Sequence, residues 1–149
     1  MDRSYKTIVV LNKERELLEG KNFRVALIAH DAKKTDILAF ASDNEDFLKK
    51  FDLIATKGTG HLINKKTNLE VKEMKSGPEG GDLQIGGLVA SEEINLVIFL
   101  RDPLAKQPHD PDIAALMKVC DVHDIPLATN LSSAEILLRG IIEQVEKKK

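Results

Sequence analysis

The sequence predicts one α/β domain built in three layers, with helices on both faces of an open, mainly parallel five-stranded sheet. Three observations carry that prediction. Arg24-Val-Ala-Leu-Ile-Ala29 and Ile94-Asn-Leu-Val-Ile-Phe-Leu100 are nearly unbroken apolar runs, the pattern of strands covered on both faces. Helical patterns separate these and three further strand-like runs, as right-handed βαβ crossovers require. A length of 149 residues suits one domain, able to bury roughly 70% of the surface its unfolded chain exposes.

Residues 1–22 read as an N-terminal extension, with Thr7 to Leu11 a candidate edge strand and Lys13 to Glu19 a short charged helix. Residues 23–149 form the domain. After the strand at 24–29, segment 35–50 holds one broken helix or two short ones, with Phe40, Phe47 and Leu48 inward. A second strand at 51–56 precedes a short helix at 60–66. The run 69–74 alternates in polarity, which suggests an edge strand. A helix over 81–91 leads to the strand at 94–100. Ile113, Leu116, Met117 and Cys120 then recur at i, i+3, i+4, i+7, so one helical stripe faces the core. The last strand is expected at 125–129. Leu138, Ile141, Ile142 and Val145 repeat the helical spacing, with Ser132-Ser133 as the cap and a frayed, solvated Glu-Lys-Lys-Lys ending.

Composition removes several function classes. The chain is 42% hydrophobic with a net charge of −2, which disorder does not produce. The 22 Lys+Arg against 24 Asp+Glu lack the basic excess that nucleic acid demands. One cysteine forms no internal disulfide and no Cys-rich zinc site, so a reducing cytoplasm is the expected location. No apolar run approaches the ~20 residues that span a bilayer, and no signal-like stretch follows the start. No two histidines sit at metal-ligand spacing together with carboxylates, so no metal is expected.

Ligands of open α/β sheets bind outside the carboxyl ends of the strands. His30, just past the first strand, therefore points into the crevice, where a neutral imidazole hydrogen-bonds a ligand oxygen. Asp31 beside it reads as a helix cap, with Lys33 and Lys34 exposed. The second strand runs into Thr56-Lys57-Gly58-Thr59-Gly60 at the start of a helix, a credible phosphate cradle that matches neither the Walker A nor the full dinucleotide pattern. Ser76-Gly77-Pro78-Glu79-Gly80-Gly81-Asp82 makes a tight turn in which Asp82 is either a cap or a rigidly held general base. Asp110-Pro111 reads as a cap with proline at the first helical position, and Asp112 suits the helix dipole. His109, between two prolines at the same crevice, has no such structural explanation. His61 and His123 read as solvated or structural, and Cys120 as a small core residue.

Taken in order, these segments resemble the methylglyoxal synthase family. The carrying motifs are Ala-Leu-Ile-Ala-His-Asp-x-x-Lys (26–34), Ala-Thr-x-Gly-Thr-Gly (55–60), Ser-Gly-Pro-x-Gly-Gly-Asp-x-Gln-Ile-Gly (76–86), Leu-Val-Ile-Phe-Leu-Arg-Asp-Pro-Leu (96–104), Gln-Pro-His-Asp-Pro-Asp (107–112) and Ile-Pro-Leu-Ala-Thr-Asn (125–130). They cover residues 24 to about 138. The resemblance implies a Rossmann-like fold and a lyase that converts dihydroxyacetone phosphate to methylglyoxal and inorganic phosphate without cofactors. It also implies that Asp82 is the catalytic carboxylate and that His109 contacts substrate oxygens. His30, Lys34, the loop Thr56, Lys57, Gly58 and Thr59, and Ser76-Gly77 correspond to substrate-binding positions. Asp31, Asp102 and Asp112 match further acids of the site. A cytoplasmic homo-oligomer, tetrameric or hexameric and inhibited by phosphate, is implied as well.

The residues read from below agree with that chemistry. A proton beside a ketone leaves only if the enediolate is stabilised, so a base and oxygen-directed donors must converge. A phosphate held out of the enediolate plane is then eliminated. One departure bears on the cradle, because the synthases usually read Thr-Gly-Thr-Thr-Gly there. The version in this chain looks more like the regulatory domain of carbamoyl phosphate synthetase. A non-catalytic module that binds a phosphorylated metabolite is thus the alternative, and it needs neither Asp82 nor His109.

Overall fold

The computed structural model of the chain describes residues 23–147, and the expected strand at 7–11 and helix at 13–19 lie outside the described residues. Its strands are β1 (Arg24–Ala29), β2 (Asp52–Ala55), β3 (Val71–Glu73), β4 (Leu96–Leu100) and β5 (Leu127–Ala128). The helices are α1 (Lys34–Asp43), α2 (Glu45–Leu48), α3 (Lys57–Lys66), α4 (Gly81–Ala90), α5 (Asp110–Val122) and α6 (Leu131–Lys147), with a 3₁₀ turn at Asp31–Lys33. The five strands pair in parallel in the order β3-β2-β1-β4-β5. The order of strand addition reverses between β1 and β4, which places the crevice at the carboxyl ends of those two strands.

Alternation along the central strands splits the core in two. Val25, Leu27 and Ala29 pack with Leu96, Ile98 and Leu100 against Ile37 and Phe40 of α1, Ile63 of α3 and Leu138 of α6. Ala26 and Ile28, with Val97 and Phe99, face Ile85 and Val89 of α4 and Ile113, Leu116 and Cys120 of α5. Burial of each large aliphatic side chain contributes about 1.5–3 kcal/mol. The near-continuous apolar strands are thus buried on both faces, and the alternating run at 69–74 does supply the edge strand, β3.

Phe47 departs from expectation. It is half-exposed, with the Lys50 ammonium 5.5 Å from its ring centroid, whereas Leu48 is fully buried. A single four-residue turn cannot aim two adjacent side chains at the same core, because they diverge by about 100°.

The caps also differ. His30, not Asp31, stands before the first turn, since its carbonyl accepts from the Lys33 N–H at 2.8 Å; Asp31 is exposed and its side chain caps nothing. His109 likewise precedes α5, its carbonyl accepting from the Asp112 and Ile113 N–H groups, so Asp110 lies inside the first turn. Gly80 precedes α4, which leaves Asp82 inside the first turn and not at its cap. Asn130 caps α6 in place of the two serines, its Oδ1 accepting from the Ser133 N–H at 2.9 Å.

Candidate active site

The residues after β1, β2, β3 and β4 gather at one end of the sheet. Ala29 links the first two groups: its N–H donates to Thr59 Oγ1 at 3.2 Å, and its carbonyl accepts from the Lys34 ammonium. Lys34 Nζ also donates to Thr59 Oγ1 at 2.8 Å. Burial lowers the Lys34 pKa, and the nearby Asp31 carboxylate partly restores it. Gly58 lies under this amine, since a Cβ there would stand 3.6 Å from Lys34 Nζ. That spacing is ordinary contact, so glycine at 58 is not forced by crowding.

Thr56 precedes α3, and the first N–H groups of a helix have no acceptor within it. The Lys57 N–H is taken by the Lys75 carbonyl at 3.4 Å and the Gly60 N–H by the Thr56 carbonyl at 2.8 Å. The Gly58 and Thr59 amides remain at the helix N-terminus beside a fixed ammonium, a local surplus of positive potential suited to a phosphate. Thr56 and Thr59 are buried; Lys57 and Gly58 are exposed.

The glycine bend after β3 is tightly knit. The Glu79 and Gly81 N–H groups both donate to the Ser76 carbonyl, Gly80 adopts a φ of 103°, and Ser76 Oγ donates to Glu79 Oε1 at 2.8 Å. Gly81 is required where it stands, because a Cβ would fall 2.0 Å from the Lys75 carbonyl oxygen. This bend carries Asp82 into the first turn of α4 with its carboxyl 1% exposed.

Asp82 Oδ2 lies 3.3 Å from His109 Nε2, and neither carboxyl oxygen of Asp82 has a hydrogen-bond partner among the described residues. Burial raises the Asp82 pKa, His109 opposes that rise, and the Asp112 carboxylate adds to it. Gly77 also approaches the imidazole closely, since a Cβ there would come within 2.5 Å of His109 Nε2.

The His30 ring stands 6.1 Å from that of His109, centre to centre, and edge-on to Phe99 at 5.2 Å. Its Nδ1 accepts from the Asp102 N–H at 2.8 Å, while Nε2 is buried without a partner. Burial lowers the His30 pKa, and His109, Arg101 and Lys34 lower it further against the attraction of Asp102.

The structure therefore brings Asp82, His109, His30 and Gly77 together, and joins them through Ala29 to Lys34, Gly58 and Thr59. Asp31 and Lys57 stay exposed at the rim, the Ser76 hydroxyl is occupied by Glu79, and Asp112 acts on Asp82 by charge. His61 is exposed, and His123 closes the end of α5. Among the described residues no group of three or more His, Cys, Asp or Glu could hold a metal ion, and no helix is long and apolar enough to cross a membrane.

Arg101 was not singled out in the sequence. Its Nε is buried without a hydrogen-bond partner, and the residue lines a cavity of about 250 Å³ with Lys33, Asp36, Thr129 and Asn130. The signal was available, since Arg101 directly follows β4.

Comparison with known proteins agrees with this geometry. The model of the MGS-like domain matches residues 36–129. A methylglyoxal synthase from Carboxydothermus hydrogenoformans is 57% identical over 118 residues, 79% of this chain and 98% of that protein. One from Bacillus subtilis is 53% identical over 122 residues, 82% and 89% of the two chains. A crystal structure of methylglyoxal synthase from Elizabethkingia anophelis superposes with a TM-score of 0.74 at 41% identity, covering 78% of this chain and 77% of the other. With a buried carboxyl set against an imidazole beside an anion cradle, and with these similarities over most of its length, the chain belongs to the methylglyoxal synthase family.

Proposed function

We infer that this chain is a lyase that converts dihydroxyacetone phosphate to methylglyoxal and inorganic phosphate. The observation that carries the reading is the Asp82 carboxyl, buried without a hydrogen-bond partner and 3.3 Å from His109 Nε2. A binding module has no use for an isolated buried carboxyl, whose desolvation is unfavourable, whereas a general base does. The raised pKa strengthens Asp82 as a proton acceptor once ionised.

In the proposed mechanism the substrate phosphate rests on the Gly58 and Thr59 amides beside Lys34, with Thr56, Lys57, Ser76 and Gly77 bordering it. Asp82 removes a proton from the carbon bearing the free hydroxyl. The electrons pass to the adjacent carbonyl oxygen, and the enediolate is met by donors from His109 and His30. The C–O bond to phosphate, turned out of the enediolate plane, then breaks. Its electron pair leaves with the phosphate as the remaining hydroxyl passes its proton to the neighbouring oxyanion and its carbon becomes the aldehyde. The resulting enol takes up a proton at its terminal carbon, loses its hydroxyl proton and gives methylglyoxal. Lys34 and the start of α3 accept the charge growing on the leaving group.

A direct assay tests this reading, with purified protein expected to release methylglyoxal and phosphate in equal amounts. Asp82→Asn is expected to cut kcat by about 10³-fold or more while inorganic phosphate still binds. Normal turnover by that variant would remove Asp82 from the base role. Inhibition by inorganic phosphate, a cytoplasmic location and assembly into a tetramer or hexamer belong to the same proposal. Phosphate that fails to compete with substrate would displace the cradle from the site.

A further inference from the structure

We propose that Asp102 is a positioning residue whose side chain sets a turn and whose backbone N–H holds His30 neutral, with its proton on Nε2. An N–H donor pairs only with an imidazole nitrogen that carries no proton. The 2.8 Å bond from the Asp102 N–H to His30 Nδ1 therefore leaves Nε2 as the protonated nitrogen of the neutral ring. That nitrogen is buried and has no partner among the described residues, so it is a donor in waiting.

The Asp102 amide is itself held in place. Asp102 Oδ1 accepts from the Leu104 N–H at 3.1 Å, an Asx turn around Pro103. On one flank, the Arg101 N–H donates to the Thr129 carbonyl on the β5 side. On the other, the His30 N–H donates to the Leu100 carbonyl, which fixes the two strand ends against each other. Phe99 meets the imidazole edge-on, with ring centroids 5.2 Å apart.

The groups facing His30 are His109, Arg101, Lys34 and Asp102, three of them cationic or able to become so. A second proton on His30 would break the Asp102 bond and add to that positive cluster, so both the bond and the cluster disfavour the charged ring. Asp102 then contributes a direction rather than a charge. With the crevice read as the substrate site, His30 supplies a hydrogen bond to a substrate oxygen from one fixed nitrogen, Nε2.

The experiment compares Asp102→Asn and Asp102→Ala with the parent protein, by kinetics and by nitrogen NMR of labelled histidine. Asparagine keeps the Oδ1 acceptor and loses the charge; alanine loses both. The parent and Asp102→Asn are expected to show a His30 that is neutral and protonated on Nε2 at neutral pH, with kcat/KM within about threefold of each other. Asp102→Ala is expected to show mixed tautomers and a kcat reduced by about 10- to 100-fold, with a smaller change in KM.

A parent spectrum with the proton on Nδ1, or with His30 charged near neutrality, overturns the proposal. So does an Asp102→Asn variant that loses as much activity as Asp102→Ala while its His30 tautomer is unchanged, since the charge would then be what matters. If Asp102→Ala does not fold, the parent and Asp102→Asn pair still decides. The tautomer is read without substrate, so absence of lyase turnover in the parent would refute the functional reading and leave this test intact.

Discussion

An alanine at position 77 would put its Cβ 2.5 Å from His109 Nε2, well inside contact distance. The imidazole must then leave its place beside Asp82, and Gly77→Ala is expected to lower kcat by about 10- to 100-fold with the fold intact. Steady-state kinetics beside a circular dichroism spectrum checks this, and a wild-type rate would mean that His109 does not act from its observed position. Asp112 has a separate signature. In the proposed mechanism the reaction needs ionised Asp82, whose pKa is raised first by burial and further by Asp112. Activity therefore falls as pH drops through that raised value, above the usual aspartate range. Asp112→Asn removes one raising influence, so the acidic limb of the kcat/KM profile is expected to move to lower pH. A limb that stays put would show that Asp112 acts by some other means. The contacts behind both expectations were hidden in the sequence. Gly77 and Asp82 belong to one segment and His109 and Asp112 to another, and only the sheet topology brings the two together. His30, by contrast, could be picked out from one rule about strand ends.

The elements were easiest to read where burial is most complete. β1 and β4 are apolar throughout, and the stripes of α5 and α6 follow the helical period, so pattern alone locates them. The helix starts were harder. Which of several adjacent Asp, Ser or Asn residues caps a helix depends on whose carbonyl accepts the first bonds, and that is set by the path of the preceding loop. The bend before α4 shows how strongly the loop can dictate. Gly81→Ala is expected to destabilise the protein by about 1–3 kcal/mol, because the 2.0 Å approach is to the Lys75 backbone, which cannot rotate away. Gly87→Ala in the same helix, with nothing within 4 Å of the added Cβ, is expected to stabilise by up to about 1 kcal/mol. Urea unfolding of the two variants measures the contrast, and equal effects would mean that the bend yields more than its packing suggests.

Across the whole molecule the two ends of the sheet divide the labour. The amino ends carry the Arg24 guanidinium, 2.7 Å from Asp52 and 3.9 Å from Glu93, with the Arg24 N–H donating to Asn95 Oδ1. The carboxyl ends carry the cradle and the Asp82–His109 pair. Asp52→Asn should accordingly cost about 1 kcal/mol or less in stability, since the pair is partly solvated, and leave kcat/KM unchanged. Thermal melts and the product assay read the two quantities separately; a fall in kcat/KM would show that the ends communicate. The layered fold and its catalytic end were legible because parallel sheets impose both. Arg101 and its cavity were not, since an arginine after a strand is common and only tertiary burial isolates its Nε.

The chain's one cysteine sits on the α5 stripe, fully buried, with its thiol pushed up to about 11 by burial and, secondarily, by the Asp121 carboxylate. Methylglyoxal is an α-oxoaldehyde, and such electrophiles form hemithioacetals with exposed thiolates. Cys120 offers the product neither an accessible sulfur nor an appreciable anionic fraction at neutral pH. Through this walled-in sulfur, the enzyme is spared adduct formation at its own thiol by the compound it releases.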